Sequence, residues 1–268
     1  MLQTPLLQAD ALVRRLVVTT FAAATLVAGV TSVAEAQDRP RPVIPAAPRD
    51  FLFGRPDREV AIRAGWNLAG AGSDWYDFVT DQLTLERRDF NAVTVGGDVG
   101  VWLSDRSTLL IGVDVTHAGP RSEYRRLVDN DRLPIEQGTR LVTVDMTGGV
   151  RYALTERGRA IGRLAWIPRR VVPFVGAGGG AVYYRLQQAG DFVDFADRRV
   201  FPATFESEGW APTVYAGGGA DIRVLRRVVL TADVRYRYAT AKLDQEWVDF
   251  DPLDLSGVRM TLGAAWQF

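Results

Sequence analysis

The chain has 268 residues, with 32 lysines and arginines against 32 aspartates and glutamates, and 47% of its residues are hydrophobic. That balance gives no reason to expect nucleic acid as a partner, and the absence of cysteine excludes disulfides and thiolate zinc sites. The length suits one large domain or two small ones, with enough apolar material to bury a core.

Residues 1–36 read as a secretory signal. Arg14 and Arg15 supply a positive start, residues 16–33 are apolar and small, and Ala34-Glu35-Ala36 offers a cleavage site before Gln37. No later stretch is long and apolar enough to cross a membrane as a helix. An exported chain that sits in a membrane must then do so as a closed sheet, because unpaired backbone groups in lipid cost several kcal/mol each. Residues 37–57 hold Pro40, Pro42, Pro45, Pro48 and Pro56, which suits an extended periplasmic segment and no packed element. The remaining residues, 58–268, form the expected barrel domain.

From Glu59 onward the chain alternates apolar and polar residues in eight runs. The first, 59–68, sets Val60, Ile62, Ala64, Trp66 and Leu68 on one phase and Glu59, Arg63 and Asn67 on the other. The second, 91–103, opposes its valines to Thr94, Gly96, Asp98 and Gly100; Trp102 fits that polar phase poorly. The third, 109–116, and the fourth, 142–152, continue with Asp114, Asp145 and Arg151 on the polar phase. The fifth, 172–186, is apolar in both phases until Arg185; placing Arg185 inward sends Phe174, Val182 and Tyr184 outward. The sixth, 214–224, and seventh, 228–238, carry Asp221 and Arg223, then Asp233, Arg235 and Arg237. The last, 256–268, opposes Val258, Met260, Leu262, Ala264, Trp266 and Phe268 to Arg259, Thr261 and Gln267.

Connections alternate in length. Residues 104–107 and 225–227 are tight and 153–171 longer, while 72–90, 118–138, 187–209 and 239–255 form the long loops of the other end. Short turns on one side and long loops on the other are the outer-membrane arrangement, with both termini periplasmic. Three long loops are acidic with interleaved aromatics and suit a solvated rim, whereas Arg157, Arg159, Arg163, Arg169 and Arg170 in 153–171 suit anionic lipid heads.

Alternation alone fits a soluble lipocalin-like barrel as well as a membrane barrel, since one is the other turned inside out. The apolar phase is free of charge across the centre of all eight runs, which favours lipid outside. The charges then face the lumen: Glu59, Asp98, Asp114, Asp145, Asp221 and Asp233 against Arg63, Arg151, Arg185, Arg223, Arg235, Arg237 and Arg259. In a narrow barrel such side chains fill the interior and pair with one another, because an unpaired buried charge is strongly unfavourable. Glycine clusters at 96–97, 148–149, 178–180 and 217–219 leave space for arginine stems and rings. The GAGGGA stretch at 176–181 is no phosphate cradle, since it runs on into Val182-Tyr183-Tyr184 instead of opening a helix. Trp66, Tyr152, Phe174, Tyr184, Trp210, Tyr236, Tyr238 and Trp266, near run ends on the outward phase, suit two interfacial belts.

With VPFVGAGGG at 172–180, RYRY at 235–238 and the closing Trp266-Gln267-Phe268, the chain resembles the small eight-stranded outer-membrane β-barrel family. The resemblance implies an all-β, antiparallel, up-and-down transmembrane barrel. It also implies a bilayer and lipopolysaccharide as surroundings, and Trp266 and Phe268 as a signal to the outer-membrane assembly machinery. It fixes no activity, since fold does not determine function.

His117 is the sole histidine and by parity faces outward at the external end of the third run, where a lipid A-modifying enzyme would work. No nucleophile lies at close same-face spacing, so a place in the interfacial belt is the expectation. No catalytic, metal or cofactor residues are predicted. The expected function is a non-enzymatic outer-membrane barrel with an occluded polar lumen, serving envelope structure or surface binding through its loops. The alternative is a narrow porin or a transporter of a small apolar compound.

Overall fold

The computed structural model describes residues 52–268 except 130, 163–164, 195–197, 245–246 and 248. The expected signal sequence with its cleavage residues Ala34, Ala36 and Gln37, and the proline-rich stretch up to residue 51, lie outside the described residues.

Eight antiparallel strands close into a ring in chain order: β2 (Arg58–Ala69), β3 (Ala92–Trp102), β4 (Ser107–Ala118), β6 (Pro134–Ala153), β9 (Val171–Val193), β10 (Val200–Arg223), β11 (Val228–Ala241) and β13 (Gly257–Gln267). Pairing of β13 with both β11 and β2 completes the closure. Eleven residues in β3, rising ~3.3 Å each and tilted ~40°, cover about 28 Å, enough for an apolar band of about 25 Å. Ile62 on β2, Ile111 on β4 and Leu262 on β13 are 59, 62 and 72% exposed, and their apolar neighbours share that outer face. Alternate residues on the same strands are buried and polar. A water-soluble barrel has the opposite arrangement, so the outer face is built for hydrocarbon. No described helix is long and apolar enough to cross a membrane.

At the end holding the termini, β1 (Leu52–Phe53), β7 (Gly158–Ile161) and β8 (Ala165–Pro168) form a small separate sheet. The stretch before the first barrel strand thus holds one short paired strand, contrary to the expectation of no packed element. Leu52 is buried against Trp102 and Trp166.

The far end is more regular than its loop-like composition predicts. Residues 118–138 contain β5 (Arg121–Val128), which forms a hairpin with β6, and 187–209 are largely the continuation of β9 and β10. Strands β6, β9 and β10 run for 20, 23 and 24 residues, so with β5 they extend as a four-stranded sheet past the membrane-length part of the ring. Residues 72–90 form α1 (Asp74–Gln82) and a 3-10 turn at Arg87–Phe90. Trp75, Tyr76 and Val79 of α1 bury themselves with Phe90, Trp247, Leu253 and Leu255 against Tyr184 and Leu186 of β9. Edge-to-face contacts from Trp75 to Tyr76 (4.9 Å) and to Trp247 (6.1 Å) tie this apolar cap together.

One sequence expectation fails. On β9 the inward phase is Val172, Phe174, Val182, Tyr184 and Leu186, all buried, while Arg185 faces out. Register decides it: Val182 lies beside the inward Asp145 of β6, and Arg185 beside the outward Val142. Arg185 pairs with Glu206 and lies 3.9 Å from Glu208, both on β10. Phe174 and Tyr184 accordingly leave the outer aromatic belts, where Trp66, Tyr152, Trp210, Tyr236, Tyr238 and Trp266 are all exposed.

Candidate functional site: the charged barrel interior

The interior is a chain of ion pairs running between facing walls. Arg63 on β2 donates through Nε and Nη2 to Asp114 on β4, at 2.8 Å each, and through Nη1 to Asp98 on β3. Between its own strand and β4 lies Gly96, the cross-strand neighbour of both Arg63 and Asp114. A Cβ there would stand 2.1 Å from Asp114 Oδ1, so only glycine leaves room for this reach.

Arg259 on β13 extends the chain. Its Nη1 lies 2.8 Å from Asp114 Oδ2, and its Nη2 donates at 2.7 Å to Asp145 Oδ2 on β6. Asp145, 1% exposed, also accepts two bonds from Arg237 Nη1, at 2.7 and 2.6 Å. Arg237 donates as well to the carbonyl of Leu255, under the apolar cap.

A second group lies toward the termini. Glu59 accepts from Arg151, from Trp102 Nε1 at 3.1 Å and from Gln267 Nε2 at 3.3 Å. Arg151 reaches Asp221 at 3.7 Å and lies over the inward Phe174 ring at 4.9 Å. Arg235 Nε is 2.7 Å from Asp233, and its guanidinium lies over Tyr215. Tyr215 in turn spreads over Gly178 and Gly149, where added methyl groups would come within 2.8 and 2.3 Å of the ring and its hydroxyl. Arg223 donates to Gln267 Oε1 at 2.6 Å.

Of the thirteen charges assigned to the lumen from the sequence, twelve point into it and Arg185 does not. The sequence reading also missed two inward residues. Trp102, the poor fit on the polar phase, is the floor of the barrel: it covers Glu59 and packs on Trp166 at 6.0 Å. Arg157, expected at the lipid surface, turns inward and stacks 4.4 Å from the Trp102 ring centre, with burial and nearby Arg151 pulling its pKa down to about 10. The misfit of an aromatic on a polar phase was the available signal for the first; the second had none.

The interior holds small cavities. Interior cavities of about 20, 10 and 10 Å³ lie beneath the cap, beside Arg151 and Tyr215, and between Trp102 and Arg157. Each has room for about one water molecule. His117 is exposed at the far rim of β4, and no ion pair or hydrogen bond joins it to an acid or hydroxyl among the described residues. No group of three potential metal ligands occurs among the described residues.

No protein-family model matches the chain, and no curated protein matches it in sequence. Solved structures similar to it include Neisserial surface protein A, 14% identical, covering 79% of this chain and 96% of that one with a TM-score of 0.40. The attachment invasion locus protein Ail of Yersinia pestis is 14% identical, with 80% and 100% coverage and a TM-score of 0.39. The outer membrane protein OprG of Pseudomonas aeruginosa is 12% identical, with 80% and 98% coverage and a TM-score of 0.41. On its own geometry, a closed ring of eight antiparallel strands with an apolar belt outside and paired charges within, this chain has the fold of a small outer-membrane β-barrel.

Proposed function

We propose that this protein is a non-enzymatic outer-membrane barrel closed to solutes, working at the cell surface in envelope structure or binding through its loop end. In this reading the short turns and both termini are periplasmic. Trp266 and Phe268 are read by the assembly machinery, and the belt residues meet phospholipid and lipopolysaccharide. The observation that carries the proposal is the filled interior: paired charges from seven of the eight strands, with the buried Phe174 and Tyr184 of β9 beside them, sealed by Trp102 at one end and the Trp75 and Trp247 cap at the other, around cavities of one-water size. A rigid cap and a projecting four-stranded sheet favour a surface role, since binding sites sit on loops positioned by a rigid scaffold.

The experiment is single-channel recording of the purified protein in planar bilayers. A closed barrel gives no steady openings. Stable openings of the unaltered protein contradict the proposal.

A further inference from the structure

The floor of the barrel holds a buried arginine without a hydrogen-bond partner. Arg157 is 4% exposed, and none of its three guanidinium nitrogens has a hydrogen-bond partner in the protein. Its neighbour Asp221 is already engaged by Arg151 and by Thr231 Oγ1 at 2.7 Å. Arg223 lies beside it, spending its donors on Gln267 and on the carbonyl of Arg226. A buried guanidinium whose donors are unsatisfied and whose nearest acid is shared with Arg151 is costly, so this end of the barrel favours an anion.

Arg223 also borders a second space. Between β8 and the β10–β11 turn lies an open cleft of about 1080 Å³, whose lining combines the apolar Phe53, Ile167 and Leu225 with Arg170, Arg226 and Arg227. Phe53 and Leu225 are 83 and 65% exposed, unusual for large apolar side chains in water. The three outer arginines are exposed and have no ion-pair partner among the described residues. Trp266, on the lipid-facing phase of β13, forms the rim, so the cleft opens at the depth of the aromatic belt.

We infer that this cleft binds an anionic phospholipid of the leaflet on the termini side, its phosphate among Arg170, Arg223, Arg226 and Arg227 and its acyl chains along Phe53, Ile167 and Leu225. Charge complementarity selects the headgroup. The apolar half of the lining separates a lipid from free phosphate, which would find arginines but no use for the exposed rings. Arg157, reached past Arg223, adds its field from inside the floor. The inference rests on the membrane-barrel reading with the termini periplasmic.

The test uses the full protein folded in detergent, offered equal phosphatidylglycerol and phosphatidylcholine and examined by native mass spectrometry. One phosphatidylglycerol is expected to stay bound in preference by about tenfold. The variant Arg170→Gln/Arg226→Gln/Arg227→Gln alters only exposed side chains, so it keeps heat-modifiable gel mobility and loses the preference. Inorganic phosphate in large excess leaves the bound lipid in place. Equal retention of the two lipids, a preference unchanged in the triple variant, or displacement by phosphate overturns the inference while the barrel stands. Unaltered protein that lacks heat-modifiable mobility removes the barrel reading itself, and the lipid site with it.

Discussion

Asp114 and Asp145 stand directly opposite each other on β4 and β6, and one guanidinium, that of Arg259 from the far wall, contacts both at 2.8 and 2.7 Å. Like charges at facing positions destabilise a sheet by themselves. Here the opposite wall mirrors them, since Arg235 and Arg259 face each other across β11 and β13. Two acids on one wall and two arginines on the other lock the lumen in register: a slip of one residue would send these charges to the lipid.

Removing Asp145 leaves Arg237 and Arg259 buried without their shared acceptor. Asp145→Ala is expected to destabilise the folded barrel by about 3–5 kcal/mol, because one buried partner is lost and the others stay charged. Urea unfolding in detergent micelles, followed by the shift in gel mobility, measures it; a loss below about 1 kcal/mol contradicts the pairing.

The glycine gaps predict a steric effect at a position with no charge. Gly149→Val pushes into the Tyr215 hydroxyl and the Ala177 carbonyl, which a Cβ would approach to 2.3 and 2.6 Å. A loss of about 1–3 kcal/mol is expected, typical of overpacking. The same substitution at Gly162, where nothing lies within 4 Å of a Cβ, meets no clash and costs only the strain of its positive φ.

Arg185 separates the two faces of β9. Because it faces out on the extended part of the hairpin, Arg185→Ala is expected to cost no more than about 1 kcal/mol, as exposed pairs do. Arg63→Ala, inside the lumen, is expected to cost several times that. Equal losses in the same unfolding assay would return Arg185 to the interior.

Tyr76 gives the cap a pH signature. Its burial, with the Asp254 carboxylate nearby, raises its pKa above the ordinary tyrosine value of about 10. A group whose folded pKa is raised contributes stability that is complete below its unfolded pKa and is lost as pH climbs from there through the folded value. Cap stability is therefore expected to hold to about pH 10 and then decline, and Tyr76→Phe flattens that decline. Ultraviolet difference titration of tyrosinate, with and without the substitution, reads it directly: the two curves coincide through about pH 10 and separate only above it, and a full tyrosine's difference near pH 10 contradicts a buried Tyr76.

The barrel was legible because period-two alternation is a property of the sequence and lipid outside allows no exceptions in mid-strand. Strands β2, β3, β4 and β13 fall within two residues of the alternating runs, and β11 begins with its run and continues three residues past it. Strand β9 was ambiguous because small and apolar residues occupy both phases: glycines stand inside where Tyr215 needs space, with Val172 and Val182 inside as well, while Val171 and Val175 stand outside toward lipid. The one charge available to set its phase, Arg185, lies past the membrane-length part of the strand, where outward no longer means lipid. The cap was hidden for a different reason. Its aromatics sit among acids in segments with turn composition, and only the barrel's end brings Trp75, Phe90 and Trp247 together.

The central claim is that the apolar phase meets hydrocarbon and the charged phase is enclosed. The chain has no native cysteine, so single cysteines placed in turn from Thr108 to Thr116 on β4 can each carry a nitroxide in reconstituted bilayers. Oxygen accessibility measured by electron paramagnetic resonance should alternate with period two, high at Leu109, Ile111, Val113 and Val115 and low between them. Accessibility to a water-soluble nickel complex at those same four positions, or no alternation at all, would contradict it.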